Sequence, residues 1–259
     1  MSSPLVNVAD LEPGIRVVEL NRPEKRNALC VELLDQFAAA IEACDPAKGQ
    51  RVVIVRGAGS VFCAGLDLQE AQDRSKGEKS AQLIARSLQA LSSSRSIVIA
   101  AVHGGAIAGG AGIMSACDFV VAARGTSIGY PEVHRGLVAG LVMTFLRRQL
   151  RERDVRELLL LGEIINAERA AEMGLVNRVV DGEQLMDSAL DIARRILKGA
   201  PEAVARSKQM IAELWHHTVA EDLHWAHEHH IRARGSVEAE EGMRAFFEKR
   251  SPQWVKPAN

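Results

Sequence analysis

Two apolar runs each end in a glycine-rich turn, and this pairing constrains the chain more than any other feature. Arg51 to Arg56 and Ile97 to Val102 read as buried strands. The first is followed by Val61-Phe62-Cys63-Ala64-Gly65-Leu66-Asp67-Leu68. The second runs into Val102-His103-Gly104-Gly105-Ala106-Ile107-Ala108-Gly109-Gly110-Ala111-Gly112. Each turn is expected to lead into a helix start. Glycines let the backbone approach a ligand closely, and helix N-termini aim unpaired N–H groups outward. Two such groups converging on one oxygen would form an oxyanion hole.

The rest of the chain gives these turns a setting. Val6 to Val8, Ile15 to Leu20, Phe119 to Ala123 and Val176 to Val180 read as further strands. Helical periodicity marks Leu29 to Ala43, Ala81 to Leu91, Val138 to Leu150, Val155 to Leu161 and Glu183 to Lys198. The polar residues 69 to 80 between a turn and a helix read as a mobile surface segment. From Pro201 to Phe247 only helices are expected. Strands alternating with helices, then helices alone, indicate an α/β core over residues 1–198 and a helical extension over 199–259. A chain of 259 residues can bury one full core, and with only 4% aromatics that core must rest on Ala, Val, Leu and Ile.

Charge and composition exclude several classes. A net charge of −1 gives no field that favours nucleic acid or an anionic membrane. No run is long enough to span a bilayer. Met1-Ser2-Ser3-Pro4 has neither a basic start nor an apolar signal core, so a cytoplasmic chain is expected. Cys30, Cys44, Cys63 and Cys117 are far apart, which points to inert reduced thiols. Gly110-Ala111-Gly112 imitates a dinucleotide fingerprint but lacks its third glycine and its acidic partner. Ser60, Ser115 and Ser127 lie in no nucleophile elbow. Six of the eight histidines cluster at His216, His217, His224, His227, His229 and His230. No Glu or Cys pattern completes a metal set there, so no metal is expected. His103 and Asp118 read as structural groups.

Glu132, in Tyr130-Pro131-Glu132-Val133, follows a short extended segment. A carboxylate in an apolar pocket has a raised pKa and can shuttle a proton. It matters only if it faces the glycine turns.

Together these stretches resemble the crotonase superfamily, the enoyl-CoA hydratase/isomerase family, over essentially the whole chain. Leu20-Asn21-Arg22-Pro23-Glu24-Lys25-Arg26-Asn27-Ala28-Leu29, Phe62 to Leu68, Gly104 to Asp118 and Pro131-Glu132-Val133 carry the likeness. Leu158 to Gly162, Gly174 to Val180 and Glu241 to Arg250 extend it in the same order. The resemblance implies an α/β spiral of repeated ββα units with a C-terminal helical trimerisation region. It implies an acyl-CoA thioester substrate, a homotrimer or dimer of trimers, and no cofactor, because coenzyme A is part of the substrate. The implied oxyanion donors are the N–H groups of Leu66 and Gly109, with Glu132 as acid/base. Ala64, Leu66, Asp67 and Leu68 would touch the adenine and pantetheine portions. Phe246 and Lys249 match positions that reach coenzyme A from the C-terminal helix, often across a subunit boundary.

Three departures bear on the chemistry. Family hydratases use two glutamates, and the first of those positions holds Gly112 here. Ala139 stands where proline is common, and Val142-Met143 where two glycines are common. His230 stands where the family often has an aromatic residue, and it is the candidate replacement acid/base. The expectation is a hydratase-like lyase with one glutamate. Isomerisation of a 3-enoyl-CoA to a 2-enoyl-CoA is the alternative, and a non-catalytic acyl-CoA binder a further one.

Overall fold

The computed structural model describes residues 4–199, 201–213 and 218–250. Its strands are β1 (Val6–Glu12), β2 (Ile15–Leu20), β3 (Val52–Gly57), β4 (Ile97–Val102), β5 (Gly105–Ile107), β6 (Phe119–Ala123), β7 (Ser127–Gly129), β8 (Ile164–Asn166) and β9 (Arg178–Val180). Its helices are α1 (Val31–Glu42), α2 (Arg74–Ser93), α3 (Gly109–Ser115), α4 (Gly140–Gln149), α5 (Glu152–Arg156), α6 (Ala167–Met173), α7 (Leu185–Leu197), α8 (Pro201–Glu213), α9 (Val219–Arg234) and α10 (Val237–Phe247).

The large sheet has the order β1-β2-β3-β4-β6-β9, antiparallel at β1–β2 and parallel beyond. β3 and β4 are buried at nearly every position because both faces of the sheet are covered, which is why their sequences do not alternate. Val53, Val55, Val98 and Ala100 face one core with α1 residues such as Leu34 and Phe37. The intervening Val52, Ile54 and Ile99 face a second core, closed by Leu185, Ala189 and Ile192 of α7. Aliphatic and alanine side chains fill both layers, as the low aromatic content requires.

A second sheet, β5-β7-β8, lies apart from the first. The chain thus repeats one unit: long strand, short strand, helix. β4–β5–α3 and β6–β7–α4 are two complete copies. β3, the extended Cys63 and α2 form a third, since Cys63 pairs with Ala106 of β5 in a parallel bridge. This is the ββα spiral that the resemblance implies. The short strands β5 and β8 carry three residues each, too few to show a period, and only the sheet reveals them.

Two local expectations need correction. The first glycine turn does not open a helix. Leu66 sits in a parallel bridge with Leu29, followed by a 3₁₀ turn at Glu70–Gln72. Residues 69 to 80 are not a loose surface segment either. From Arg74 they form the first turns of α2, whose N-cap Asp73 accepts the Ser75 N–H. The charged face there is a solvated helix face, which has no apolar period to read. Elsewhere β1 runs four residues beyond Val8, and α5 gives way to a π-helical turn at Glu157–Leu161.

Asn27 joins the turn after β2 to the first glycine turn. It is fully buried with φ 53°. Its Nδ2 donates to the carbonyls of Ala58 at 2.8 Å, Val61 at 2.9 Å and Phe62 at 3.1 Å. Its Oδ1 accepts the Arg22 N–H at 2.9 Å. Asn27→Ala would strand these groups and force an alanine into the left-handed region. The expected loss is about 2–4 kcal/mol in urea unfolding, and a loss below about 0.5 kcal/mol would show that the clamp carries little.

Candidate active site

Backbone pairing brings the site together. β5 and β7 run parallel, with Ile107 opposite Gly129. Gly109 follows β5 by two residues and Glu132 follows β7 by three, so both emerge from the same edge. The Ile107 N–H donates to the Cys63 carbonyl at 3.0 Å, placing the Cys63–Leu66 segment alongside. The Ala108 N–H donates to the Gly129 carbonyl at 2.8 Å. Ala108 is held at φ 50°, ψ −119°, a conformation costly for a residue with a side chain. That twist begins α3 and turns the Gly109 N–H outward. Gly65, at φ +92°, packs so closely that a Cβ there would sit 2.8 Å from the Ile107 carbonyl.

The N–H groups of Leu66 and Gly109 donate to no acceptor among the described residues. The two residues adjoin: a Cβ on Gly109 would sit 3.8 Å from Leu66 Cγ. Both line an inner cavity of about 100 Å³, together with Ala64, Leu68, Ala108, Glu132, Val142 and His230. Leu66, Leu68, Leu137 and His230 also line an outer cleft of about 590 Å³, so the two spaces adjoin.

Glu132 lies on a 3₁₀ turn, Pro131–Arg135. Below it, Tyr130 is fully buried and its hydroxyl meets Ser115 Oγ at 2.7 Å, tying the turn to α3. Ser115 Oγ also donates to the Ala111 carbonyl, so it is a structural group. Glu132 Oε2 is buried without a hydrogen-bond partner among the described residues. Burial pushes its carboxyl up to about 7, against the pull of its own backbone N–H and of Arg135. Arg135 is itself held below its ordinary value by burial, and its guanidinium lies 4.9 Å from the Phe246 ring centre.

His230 lines the cavity, which its candidacy as an acid/base requires, but its chemistry is narrower than that role. Burial, with the charge of Arg234 second, pushes its imidazole down to about 4, so it is neutral near pH 7. Its Nδ1 faces the Val138 carbonyl at a long 3.5 Å, and its Nε2 is buried and unpartnered. A carbonyl only accepts, so this arrangement favours the proton on Nδ1 and a bare lone pair on Nε2. His230 can hold a donor, but it is a poor proton source.

Gly112 is buried in α3, and a Cβ there would lie 2.9 Å from Val142 Cγ2. Val142 thus occupies the space a larger residue at 112 would need. The two departures noted in the sequence are one packing exchange.

The other expected positions divide. Ala64, Leu66 and Leu68 line the cavity, whereas Asp67 does not. Its carboxylate pairs with Arg22 at 2.7 Å and accepts the Gln69 N–H, so it braces the turn. Phe246 is 46% exposed beneath Arg135, and Lys249 is exposed after α10. Neither lines the inner cavity or the outer cleft, whereas Phe247 and Met243 line the outer cleft. Sequence reasoning passed over Met243 and Phe247 because nothing in a helical pattern says which face meets a distant turn. His103 Nε2 meets the Gly59 carbonyl, and Asp118 accepts Val98 N–H and Lys208 Nζ at 2.7 Å each, both structural roles. His216 and His217 lie outside the described residues. Among the described residues no group of three His, Cys, Asp or Glu could hold a metal, and no helix is long and apolar enough to cross a membrane. The four cysteines are buried and unpaired, and burial pushes the Cys63 thiol up to about 12.

The chain is similar over nearly its whole length to known proteins. Residues 10–257 match the family model described as enoyl-CoA hydratase/isomerase. A putative enoyl-CoA hydratase of Thermus thermophilus is 32% identical over 95% of this chain and 100% of that protein. Mevalonyl-coenzyme A hydratase sidH of Aspergillus fumigatus is 34% identical over 93% of this chain and 92% of that protein. The crystal structure of an enoyl-CoA hydratase/isomerase from Pseudoalteromonas atlantica superposes with a TM-score of 0.87 at 30% identity, covering 97% of this chain and 100% of that one. The chain belongs to the enoyl-CoA hydratase/isomerase family of the crotonase superfamily.

The raised Glu132 pKa has a consequence for stability. The folded value of about 7 lies above the ordinary 4.5, so the fold favours the protonated form. That contribution is complete below about pH 4.5 and is lost as pH rises through about 7. Wild type should therefore lose stability relative to Glu132→Gln between those limits, by at most about 3 kcal/mol. Parallel denaturation curves for the two proteins across this range would contradict the burial that raises the value.

Proposed function

We propose that the inner cavity binds the thioester carbonyl of an enoyl-CoA on the N–H groups of Leu66 and Gly109, and that Glu132 moves the proton. The observation that carries this reading is the buried, unpartnered Oε2 of Glu132, in the same small cavity as two backbone donors without acceptors. A carboxyl near pH 7 both accepts and returns protons efficiently. Negative charge that develops on the thioester oxygen is stabilised by donors already in place.

Hydration of a 2-enoyl-CoA is the first reading. A water held between Glu132 Oε2 and His230 Nε2 adds its oxygen to the β-carbon and gives its proton to Glu132. The π electrons move onto the thioester oxygen. Glu132 then delivers the proton to the α-carbon, and the C–O and C–H bonds formed account for the whole water. The lone pair of His230 supports this reading, as do the hydratase names of the relatives. Isomerisation is the second reading, favoured by the packing of Val142 against Gly112, which leaves Glu132 as the single carboxylate among the described residues that line the cavity. There Glu132 takes the α-proton of a 3-enoyl-CoA and returns it at the γ-carbon.

Met210, Ile211 and Val237, which the C-terminal helices leave exposed, support self-association through this region as a trimer or dimer of trimers.

Mass analysis of products in D2O, with crotonyl-CoA and a 3-enoyl-CoA supplied separately, distinguishes the reactions. Mass gain by water on crotonyl-CoA is expected for hydration, and a shifted double bond without water for isomerisation. Turnover of neither would reject the proposal. Glu132→Gln should lower turnover about a hundredfold or more, and unchanged turnover would remove Glu132 from the chemistry.

A second carboxylate should be tolerated only when its space is opened. Gly112→Glu alone is expected to cost about 2 kcal/mol or more through overpacking and buried charge. Gly112→Glu with Val142→Gly should recover stability and raise hydration relative to isomerisation. Equal stability of the single and double variants would show that Val142 does not govern this space.

A further inference from the structure

The outer cleft contains a cation that forms no ion pair among the described residues. Arg234, at the end of α9, buries its Nη1 with no hydrogen-bond partner. Its Nη2 makes a long 3.3 Å contact with the Ala71 carbonyl. Burial holds the guanidinium below its ordinary value, and no acidic group among the described residues opposes that shift. A desolvated, unpaired guanidinium is unfavourable in itself. The fold nonetheless makes room for it. Gly77 lies within α2, where glycine weakens a helix. A Cβ at that position would sit 2.6 Å from Arg234 Nη2.

The placement of Arg234 follows from helix geometry. His230 lines both the inner cavity and the outer cleft, whereas Arg234 lines the outer cleft alone. Four residues apart on one helix, they share a face, with Arg234 about 6 Å further along the axis. A ligand arm leaving the inner cavity past His230 therefore meets Arg234 next. The cleft also carries the exposed Glu78, Glu240 and Glu248 against one further arginine, Arg244. A group of several negative charges, such as a pyrophosphate, would meet repulsion there. A single carboxylate on a carbon chain matches one planar guanidinium fork.

We propose that Arg234 receives a carboxylate at the far end of the acyl chain, so that the preferred substrate class is an enoyl-CoA carrying a second, free acid group. This rests on the acyl-thioester reading of the inner cavity. Selectivity then arises because a methyl-ended chain leaves the guanidinium unpaired, whereas a carboxylate pairs it.

Calorimetric binding of hex-2-enedioyl-CoA and hex-2-enoyl-CoA, which differ only at the chain end, tests this on the full-length protein made catalytically silent by Glu132→Gln. That background is expected to bind the diacid thioester about tenfold or more tightly. Arg234→Met should abolish this preference and leave hex-2-enoyl-CoA affinity unchanged. Gly77→Ala, which keeps the charge but fills its seat, should reduce the preference as well. Equal loss for both ligands in Arg234→Met would assign the arginine to the coenzyme A phosphates or to folding, and would overturn the proposal. No preference in the background protein would overturn it too. Failure of that protein to bind either thioester would reject the acyl-thioester reading along with it.

Discussion

The site depends on main-chain hydrogen bonds between three short parallel segments. Cys63 to Leu66, β5 and β7 lie side by side through Ile107 N–H to Cys63 and Ala108 N–H to Gly129. Side chains secure the ends of this alignment, through Asn27 at the first turn and Tyr130 with Ser115 below Glu132. The large sheet supplies the rigidity. β3, β4 and β6, buried on both faces, fix the starting point of each segment, and a single register then carries Leu66, Gly109 and Glu132 to one edge. A slip of one residue would turn Ala108 away from Gly129 and misdirect the Gly109 N–H. The left-handed Ala108 persists because β7 and α3 hold it from both sides.

Electrostatics divides the cavity into two kinds of group. The backbone donors are neutral dipoles already aimed, and they cost little to bury. Glu132, His230, Arg135 and Arg234 are titratable groups whose natural charge burial opposes. Burial is the first cause of each displaced value, and for His230 the charge of Arg234 adds to it. Asp67 is the contrasting case. It touches the same turn, yet Arg22 and two backbone N–H groups hold its carboxyl below the ordinary range, so it stays ionised and serves as a brace.

Much of this was legible in the sequence, for identifiable reasons. β2 and β4 were read to the residue because apolar runs bounded by turn residues leave few other choices. Glu132, Leu66 and Gly109 could be singled out because several motifs occur in one order. The short strands β5 and β8 were not legible, since three residues define no period. The polar start of α2 looked like a loop because a solvated helix face and a loop share a composition. The bracing role of Asp67 was not legible because its partner is not visible in the local sequence. That partner, Arg22, lies 45 positions away. The pairing of Gly112 with Val142 joins α3 to α4, and a linear reading sees only two unrelated substitutions.

The two donors at Leu66 and Gly109 belong to peptide bonds, not to side chains. Almost any point mutation leaves a peptide N–H in place, and only proline deletes it. The buried carboxyl, by contrast, is one side chain at position 132, and the volume around it depends on residues such as Gly112 and Val142. In the course of descent, a pair of backbone donors is therefore hard to lose, while the side chains around them lie within one or two codon changes. A fold with this division keeps its class of ligand and varies its chemistry.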